Sequence, residues 1–256
     1  MIRLRELTRY YGTKPAVLGL NLEIPTGQLV GLLGPNGAGK STTVKMLTGM
    51  LEPTRGLAEV FGIDVARDPL AVKRIVGYVP ESGAVFEMLT GWEYLDLVAA
   101  LYQLPPDEAA TRILRFAEFF DLTEATLRGA QLATYSKGMR QKVVITAALL
   151  HNPRVVFFDE PLNGLDANAA LRFKTLIATL AREGKTIVYC SHLLDIVERV
   201  CERIVIVHEG RLVADGSLAA LQARTGEQSL ERIFNRLTAT EHLLDRAEEL
   251  ARALAG

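Results

Sequence analysis

The sequence predicts an α/β fold: a mostly parallel core sheet, an antiparallel β edge and an inserted helical segment. Three observations carry this prediction. Short strand-like and helical segments mix over residues 1–80 and alternate again over residues 136–215. A glycine-rich turn, Gly34-Pro35-Asn36-Gly37-Ala38-Gly39-Lys40-Ser41-Thr42, joins a buried-strand pattern to a helical one. Between the two mixed regions, residues 82–135 lose their β character and read as helix.

Taken in order, residues 4–22, with turns at Gly12 and at Lys14-Pro15, read as an antiparallel edge. Leu29-Val30-Gly31-Leu32-Leu33 is apolar throughout, as a strand buried on both faces must be. The turn after it fits G-x-x-x-x-G-K-[ST] at every fixed position. Its glycines let consecutive backbone N–H groups turn inward around an anion, and the next helix adds its positive end. Lys40 can then reach the β- and γ-phosphates of a nucleotide, and the Ser41 hydroxyl can ligate Mg²⁺. A ligand-free turn would need neither the lysine nor the serine. Residues 41–47 read as a helix with Val44, Leu47 and Leu51 on one face. Thr90-x-x-Glu93 is a capping box that opens a helix over residues 92–102. Pro105-Pro106 ends that helix, and residues 107–120 form another.

The β-rich segments 155–158, 186–189 and 203–207 follow. The first runs Val155-Val156-Phe157-Phe158-Asp159-Glu160 and delivers two carboxylates to a strand's C-terminal end, where open α/β sheets bind ligands. One carboxylate can hold Mg²⁺. The other, pointing to the opposite face by strand alternation, can activate an attacking water. In isolation such a pair would equally suit a solvated turn. Residues 229–254 read as amphipathic helix, with Leu230, Ile233, Phe234 and Leu237 on one face and Leu243, Leu244, Ala247 and Leu254 on a second.

Composition narrows the function classes. At 256 residues and 49% hydrophobic, the chain can bury a large core and is not disordered. A net charge of -1 argues against broad nucleic-acid binding, which needs a basic excess. Cys190 and Cys201 lack metal-ligand or redox spacing, and Cys190 reads as a buried small hydrophobe. No signal peptide is read at the start, and no apolar run approaches the ~20 residues a membrane helix needs. Any membrane role is therefore expected to come through a partner. His151, His208 and His242 match no motif and are expected to be solvated.

Four more segments complete a family resemblance. Tyr135-Ser136-Lys137-Gly138-Met139-Arg140-Gln141 precedes the acidic strand, Pro161-Leu162-Asn163-Gly164-Leu165-Asp166 follows it, Cys190-Ser191-His192 ends the next strand, and Tyr11 stands just before Gly12. In this order, with the phosphate loop, the chain resembles the ATP-binding subunit of an ABC transporter over residues 1 to about 220. The resemblance implies a P-loop NTPase fold, with an ATPase domain over residues 1–220, a helical subdomain over about 82–150 within it, and a C-terminal helical extension over 221–256. It implies that Tyr11 stacks on adenine, that the loop from Asn36 through Gly37, Ala38, Gly39, Lys40, Ser41 and Thr42 cradles the phosphates, and that Asp159 and Ser41 hold Mg²⁺. Glu160 would be the general base and His192 would hold the γ-phosphate. Two cassettes, most simply a homodimer, would pack head to tail, so that Ser136 and Gly138 meet the ATP on the opposite subunit and Asp166 communicates across the dimer.

Two departures from the family pattern stand out. The signature usually reads Leu-Ser-Gly-Gly-Gln; here Tyr135 replaces the Leu, Met139 the Gln and Lys137 the first Gly, the lysine adding a positive charge beside the phosphate contact or pointing to solvent. Glu81 stands where the family usually has Gln, and its carboxylate is a candidate Mg²⁺ ligand that brings negative charge toward the γ-phosphate. Both variants resemble ATPases that serve exporters of drugs and polysaccharides. The implied setting is the cytoplasmic face of a membrane, peripheral, docked on an integral-membrane permease through a groove along residues 82–95, with apolar contacts from Phe86, Met88, Leu89 and Trp92 or with those side chains in the core. The alternatives are a soluble ABC ATPase acting on ribosomes or DNA, which a single cassette without basic excess disfavours, and a nucleotide-gated adaptor, which the retained Glu160 and His192 disfavour.

Overall fold

The structure, a computed structural model, describes residues 1–238. The chain opens with strands β1 (Ile2–Tyr11), β2 (Lys14–Ile24) and β3 (Leu29–Leu33), followed by helix α1 (Lys40–Leu47). Next come β4 (Arg55–Val60), β5 (Ile63–Asp64), α2 (Pro69–Ile75) and β6 (Val76–Val79). The helical stretch is α3 (Gly91–Leu101), α4 (Pro106–Phe119), α5 (Glu124–Gly129) and α6 (Lys137–Leu150). The remainder is β7 (Val155–Asp159), α7 (Ala167–Arg182), β8 (Thr186–Cys190), α8 (Leu194–Val200), β9 (Arg203–His208), β10 (Arg211–Gly216), α9 (Leu218–Thr225) and α10 (Leu230–Leu237).

Two sheets form. A six-stranded sheet has the order β10-β9-β3-β8-β7-β6, parallel except at β10. A four-stranded antiparallel sheet has the order β2-β1-β4-β5. Every residue of β3, β7 and β8 is buried, which accounts for their unbroken apolar runs. Their side chains alternate between two cores. Leu29, Leu33, Val156 and Phe158 face the core shared with the helical segment, while Val30, Leu32, Val155 and Phe157 face the core shared with α1 and the antiparallel sheet. Because β8 lies between β3 and β7, the loops leaving all three strands emerge side by side at one sheet edge.

Several predicted boundaries move. Tyr11 pairs with Lys14, so the first hairpin turns on Gly12 and Thr13 alone, with Gly12 at φ +59°. Lys14-Pro15 is not a second turn: Pro15 lies inside β2 opposite Tyr10, on an edge strand, where its missing N–H costs no ladder bond. Helix α1 stops at Leu47, so Leu51 falls beyond it and packs against the core from a loop. The capping box is present as read: the Glu93 N–H donates to Thr90 Oγ1 at 3.2 Å and the Thr90 N–H to Glu93 Oε2 at 2.8 Å. However, α3 has already ended at Leu101, and Pro106 instead opens α4, at the position where a helix has no use for the missing N–H.

Helix α10 buries Leu230 and Ile233 and half-buries Phe234 and Leu237 against the core. His242, Leu243, Leu244, Ala247 and Leu254 lie outside the described residues. Two histidines depart from expectation. His151 is not solvated: it stacks on Tyr102 with ring centroids 3.6 Å apart, and its Nε2 lies 3.0 Å from the Val76 carbonyl. Burial lowers its pKa to about 4. His208 is half-buried in β9, with its Nδ1 enclosed. Cys190 is fully buried, as expected of a small core hydrophobe. Among the described residues, no helix is long and apolar enough to cross a membrane.

Candidate active site

A cavity of about 630 Å³ opens at the edge where β3, β7 and β8 end. Residues Asn36, Gly37, Ala38, Gly39, Lys40, Ser41 and Thr42 line it, together with Tyr11, Glu81, Asp159, Glu160 and His192. The loop's shape depends on its glycines. Gly39 caps α1 at φ +103°, and a Cβ there would lie 2.4 Å from the Ala16 carbonyl oxygen. The Lys40 ammonium folds back on its own loop, donating to the carbonyls of Gly34 at 2.6 Å and Pro35 at 3.2 Å. Tyr11 is half-exposed at the rim, with the Arg9 guanidinium 5.2 Å from its ring centroid.

The two carboxylates do not point to opposite faces. Glu160 has φ +50°, and this left-handed residue ends the strand alternation and turns the second carboxylate into the same cavity as Asp159. The turn is anchored by a hydrogen bond from the Glu160 N–H to the Cys190 carbonyl at 2.9 Å. Glu160 Oε1 lies 2.9 Å from His192 Nδ1, and Oε2 accepts from the Ser191 hydroxyl at 3.1 Å. Burial raises the Asp159 pKa above its ordinary value; Glu81 and Glu160 push it further up, while a hydrogen bond from Ser41 and the charge of Lys40 oppose them. Ser41, Asp159 and Glu81 thus share one corner and offer hard oxygen donors. Among the described residues, no three carboxylate, histidine or cysteine side chains converge on a metal site. A divalent ion here would therefore take most of its ligands from phosphate and water, which suits Mg²⁺.

Ser136, Gly138 and Asp166 lie outside this cavity. The Ser136 hydroxyl caps α6 by accepting from the Met139 N–H at 3.2 Å, and Asp166 caps α7 by accepting from the Ala169 N–H at 2.8 Å. Gly138 packs so closely under the next loop that a Cβ would lie 2.5 Å from the Gly164 carbonyl oxygen. Lys137 is exposed, and its aliphatic stem lies against Gly164. Two residues to which the sequence assigned no role also matter. Ser191 binds Glu160, as above, and the buried Gln141 donates to the Pro161 carbonyl at 3.0 Å, tying the signature helix to the turn after Glu160. Neither serine nor glutamine announces such a contact by residue type.

Beyond Glu81, Val85, Phe86, Met88, Leu89 and Leu97 help line a shallow groove of about 480 Å³, with Phe86 and Met88 strongly exposed. Leu95 and Trp92 belong to the core side instead. Leu95 is buried, and Trp92 packs on the core beneath the Arg128 guanidinium, 3.4 Å from its ring centroid.

A parallel sheet, a phosphate loop at its edge and paired carboxylates on the neighbouring strand define a P-loop nucleotide-binding domain with a helical insertion. The family described as ABC transporter matches residues 17–163, and the chain belongs to it, among its ATP-binding proteins. An uncharacterised ABC transporter ATP-binding protein from Nostoc sp. is 40% identical over 206 residues, 79% of this chain and 60% of that protein. A Synechocystis relative matches over 56% of its own length, so the chain spans less than two thirds of these two relatives. The ABC transporter ATP-binding protein NatA of Bacillus subtilis is 35% identical, covering 91% of this chain and 96% of that protein. The daunorubicin/doxorubicin resistance ATP-binding protein DrrA of Streptomyces peucetius is 36% identical, covering 88% of this chain and 67% of that one. Among solved structures, an ATP-binding subunit of an ABC transporter superposes with a TM-score of 0.87 at 33% identity, covering 93% of this chain and 99% of its own. A dimeric ATP-binding cassette in a post-hydrolysis state, bound to ADP and Pi, gives 0.79 at 26% identity, covering 85% and 99%.

Proposed function

We propose that the chain is an ATP-hydrolysing subunit that dimerises around two ATP molecules and drives transport, as export, through a separate integral-membrane permease. The observation that carries this reading is the division of the site. The cavity holds the phosphate loop with Asp159, Glu160 and His192, but not Ser136, Gly138 or Asp166. A second copy packed head to tail would supply the missing three, and the dimeric cassette among the structural relatives supports that arrangement.

In this reading the loop N–H groups from Gly37 to Thr42 bind the phosphates, and Lys40 exchanges the carbonyls of Gly34 and Pro35 for phosphate oxygens. Tyr11 offers its exposed ring to the adenine. Glu160 accepts the proton of the attacking water, while His192, tethered through Nδ1, presents its other nitrogen to the γ-phosphate. Mg²⁺, held by Ser41 and Asp159 with Glu81 within reach, would neutralise phosphate charge. The groove at Phe86 and Met88 is the docking face for the permease, at the cytoplasmic face of the membrane. The drug-resistance name of the DrrA relative supports the export direction. We assign residues 1–220 to the ATPase domain, about 82–150 to its helical subdomain and 221–256 to an extension.

The test is Glu160→Gln. The amide cannot take the water's proton, so ATP binding should persist while turnover falls by roughly 100-fold or more, and an ATP-bound dimer should accumulate on size-exclusion chromatography. Turnover at the wild-type rate would remove Glu160 from the reaction.

A further inference from the structure

We propose that Ser191 is a positioning residue for Glu160, which deepens the function proposed above and rests on it. Ser191 is 2% exposed and sits at the turn between β8 and α8. Its hydroxyl makes two hydrogen bonds. It accepts from the Leu193 N–H at 3.1 Å and lies 3.1 Å from Glu160 Oε2. A hydroxyl has one proton, the Leu193 N–H can only donate and an ionised carboxylate can only accept, so in the contact with Glu160 the serine is the donor. The turn geometry therefore fixes Ser191 as donor and Glu160 as acceptor.

The second tether, His192 Nδ1 at 2.9 Å from Oε1, is of a different kind. The His192 side chain is 64% exposed, whereas that of Glu160 is 10% exposed. An exposed imidazole reorients easily and must also serve the nucleotide in the proposed mechanism. The buried hydroxyl is enclosed by Leu193 and by the hydroxyl of buried Tyr189, neither of which is exchanged with solvent or nucleotide. Glu160 also carries its side chain from a left-handed backbone position, where the strand no longer dictates its direction. What aims the carboxylate is thus the strand β8 end: the Glu160 N–H bonds the Cys190 carbonyl at 2.9 Å, and the next residue along, Ser191, closes on Oε2. Losing the hydroxyl leaves one mobile tether, and misplacing a general base by about 1 Å can cost on the order of 100-fold.

The experiment uses the full chain with Ser191→Ala and Ser191→Thr, reading kcat and KM for ATP, affinity for a fluorescent ATP analogue, and Tm. Ser191→Ala should lower kcat by roughly 10- to 100-fold with nucleotide affinity and Tm unchanged. Ser191→Thr retains the hydroxyl and should recover most of the loss. Adding Ser191→Ala to Glu160→Gln should slow the reaction no further, because the group it positions is already disabled. The proposal is overturned if Ser191→Ala keeps wild-type kcat while Glu160→Gln is inactive, if kcat and nucleotide affinity fall together, or if Ser191→Thr is as slow as Ser191→Ala at unchanged Tm. A fully active Glu160→Gln is a separate result that removes the underlying reading first.

Discussion

At the scale of single residues, the corner where Glu81 meets Asp159 is the most unusual part of the site. Three carboxylates share a cavity with two lysines, Lys14 and Lys40, and the Asp159 pKa is raised by burial first and then by Glu81 and Glu160. Replacing Glu81 with Gln removes one of these charges and exchanges an anionic oxygen donor for a neutral amide oxygen. On the proposed function, Glu81→Gln should retain basal turnover and bind ATP more tightly, yet need more Mg²⁺ for half-maximal rate. Mg²⁺-titrated ATPase activity reads the turnover and the metal demand, a titration with ATP reads the affinity, and curves superposing on wild type would reduce Glu81 to a bystander. Most of this corner was legible beforehand. Lys40, Ser41, Asp159, Glu160, His192, Tyr11 and Glu81 belong to motifs with fixed spacing, and all seven line one cavity. The left-handed turn at Glu160 was not legible, since glutamate has no preference for positive φ and strand alternation argued the opposite. Ser191 and Gln141 escaped for a related reason: their meaning lies in partners brought close by strand register and helix packing.

At the scale of elements, buried parallel strands were easiest to read, because burial on both faces leaves a plain apolar run, as in β3, β7 and β8. Edges and ends were harder. Pro15 looked like a turn residue because proline usually is, and only its place on the edge strand β2 makes it tolerable within a strand. His151 looked solvated because a lone histidine after a helix carries no pattern; the end of α6 presses it onto Tyr102 from α3 and under the Val76 carbonyl of β6. This junction has a pH signature. The folded ring stays neutral to about pH 4, whereas an unfolded chain protonates it near 6.5. Between those values the unfolded state binds more protons, so stability falls as pH falls through that window. His151→Phe keeps a ring against Tyr102 without the titration. Its Tm should therefore decline less steeply than that of wild type between pH 6.5 and 4.5. Parallel declines would mean that the ring titrates freely in the fold.

At the scale of the molecule, the sheet order brings the phosphate loop, the carboxylates and the Ser191-His192 turn together, while α6 and α7 begin elsewhere, with Ser136 and Asp166 spent on capping their own helices. A complementation experiment tests whether these two halves meet only between chains. Lys40→Ala disables a chain's own loop, and Ser136→Arg disables the signature it lends. Each alone should be inactive, but mixing them should restore turnover, because a heterodimer pairs the intact loop of one with the intact signature of the other at one of its two sites. No recovery on mixing would place Ser136 in service of its own chain's nucleotide. The physical separation of Ser136 from the cavity has a further consequence, which concerns economy in the cell. On the proposed function, a chain that cannot finish its own site would burn little ATP when dilute, and its rate per molecule should rise with its concentration. A permease offering two docking places would hold a pair of chains at an effective concentration of order millimolar, whatever their bulk level. Copies adrift from the membrane would then stand idle, and the number of occupied permeases, rather than the amount of this protein made, would set the energy consumed.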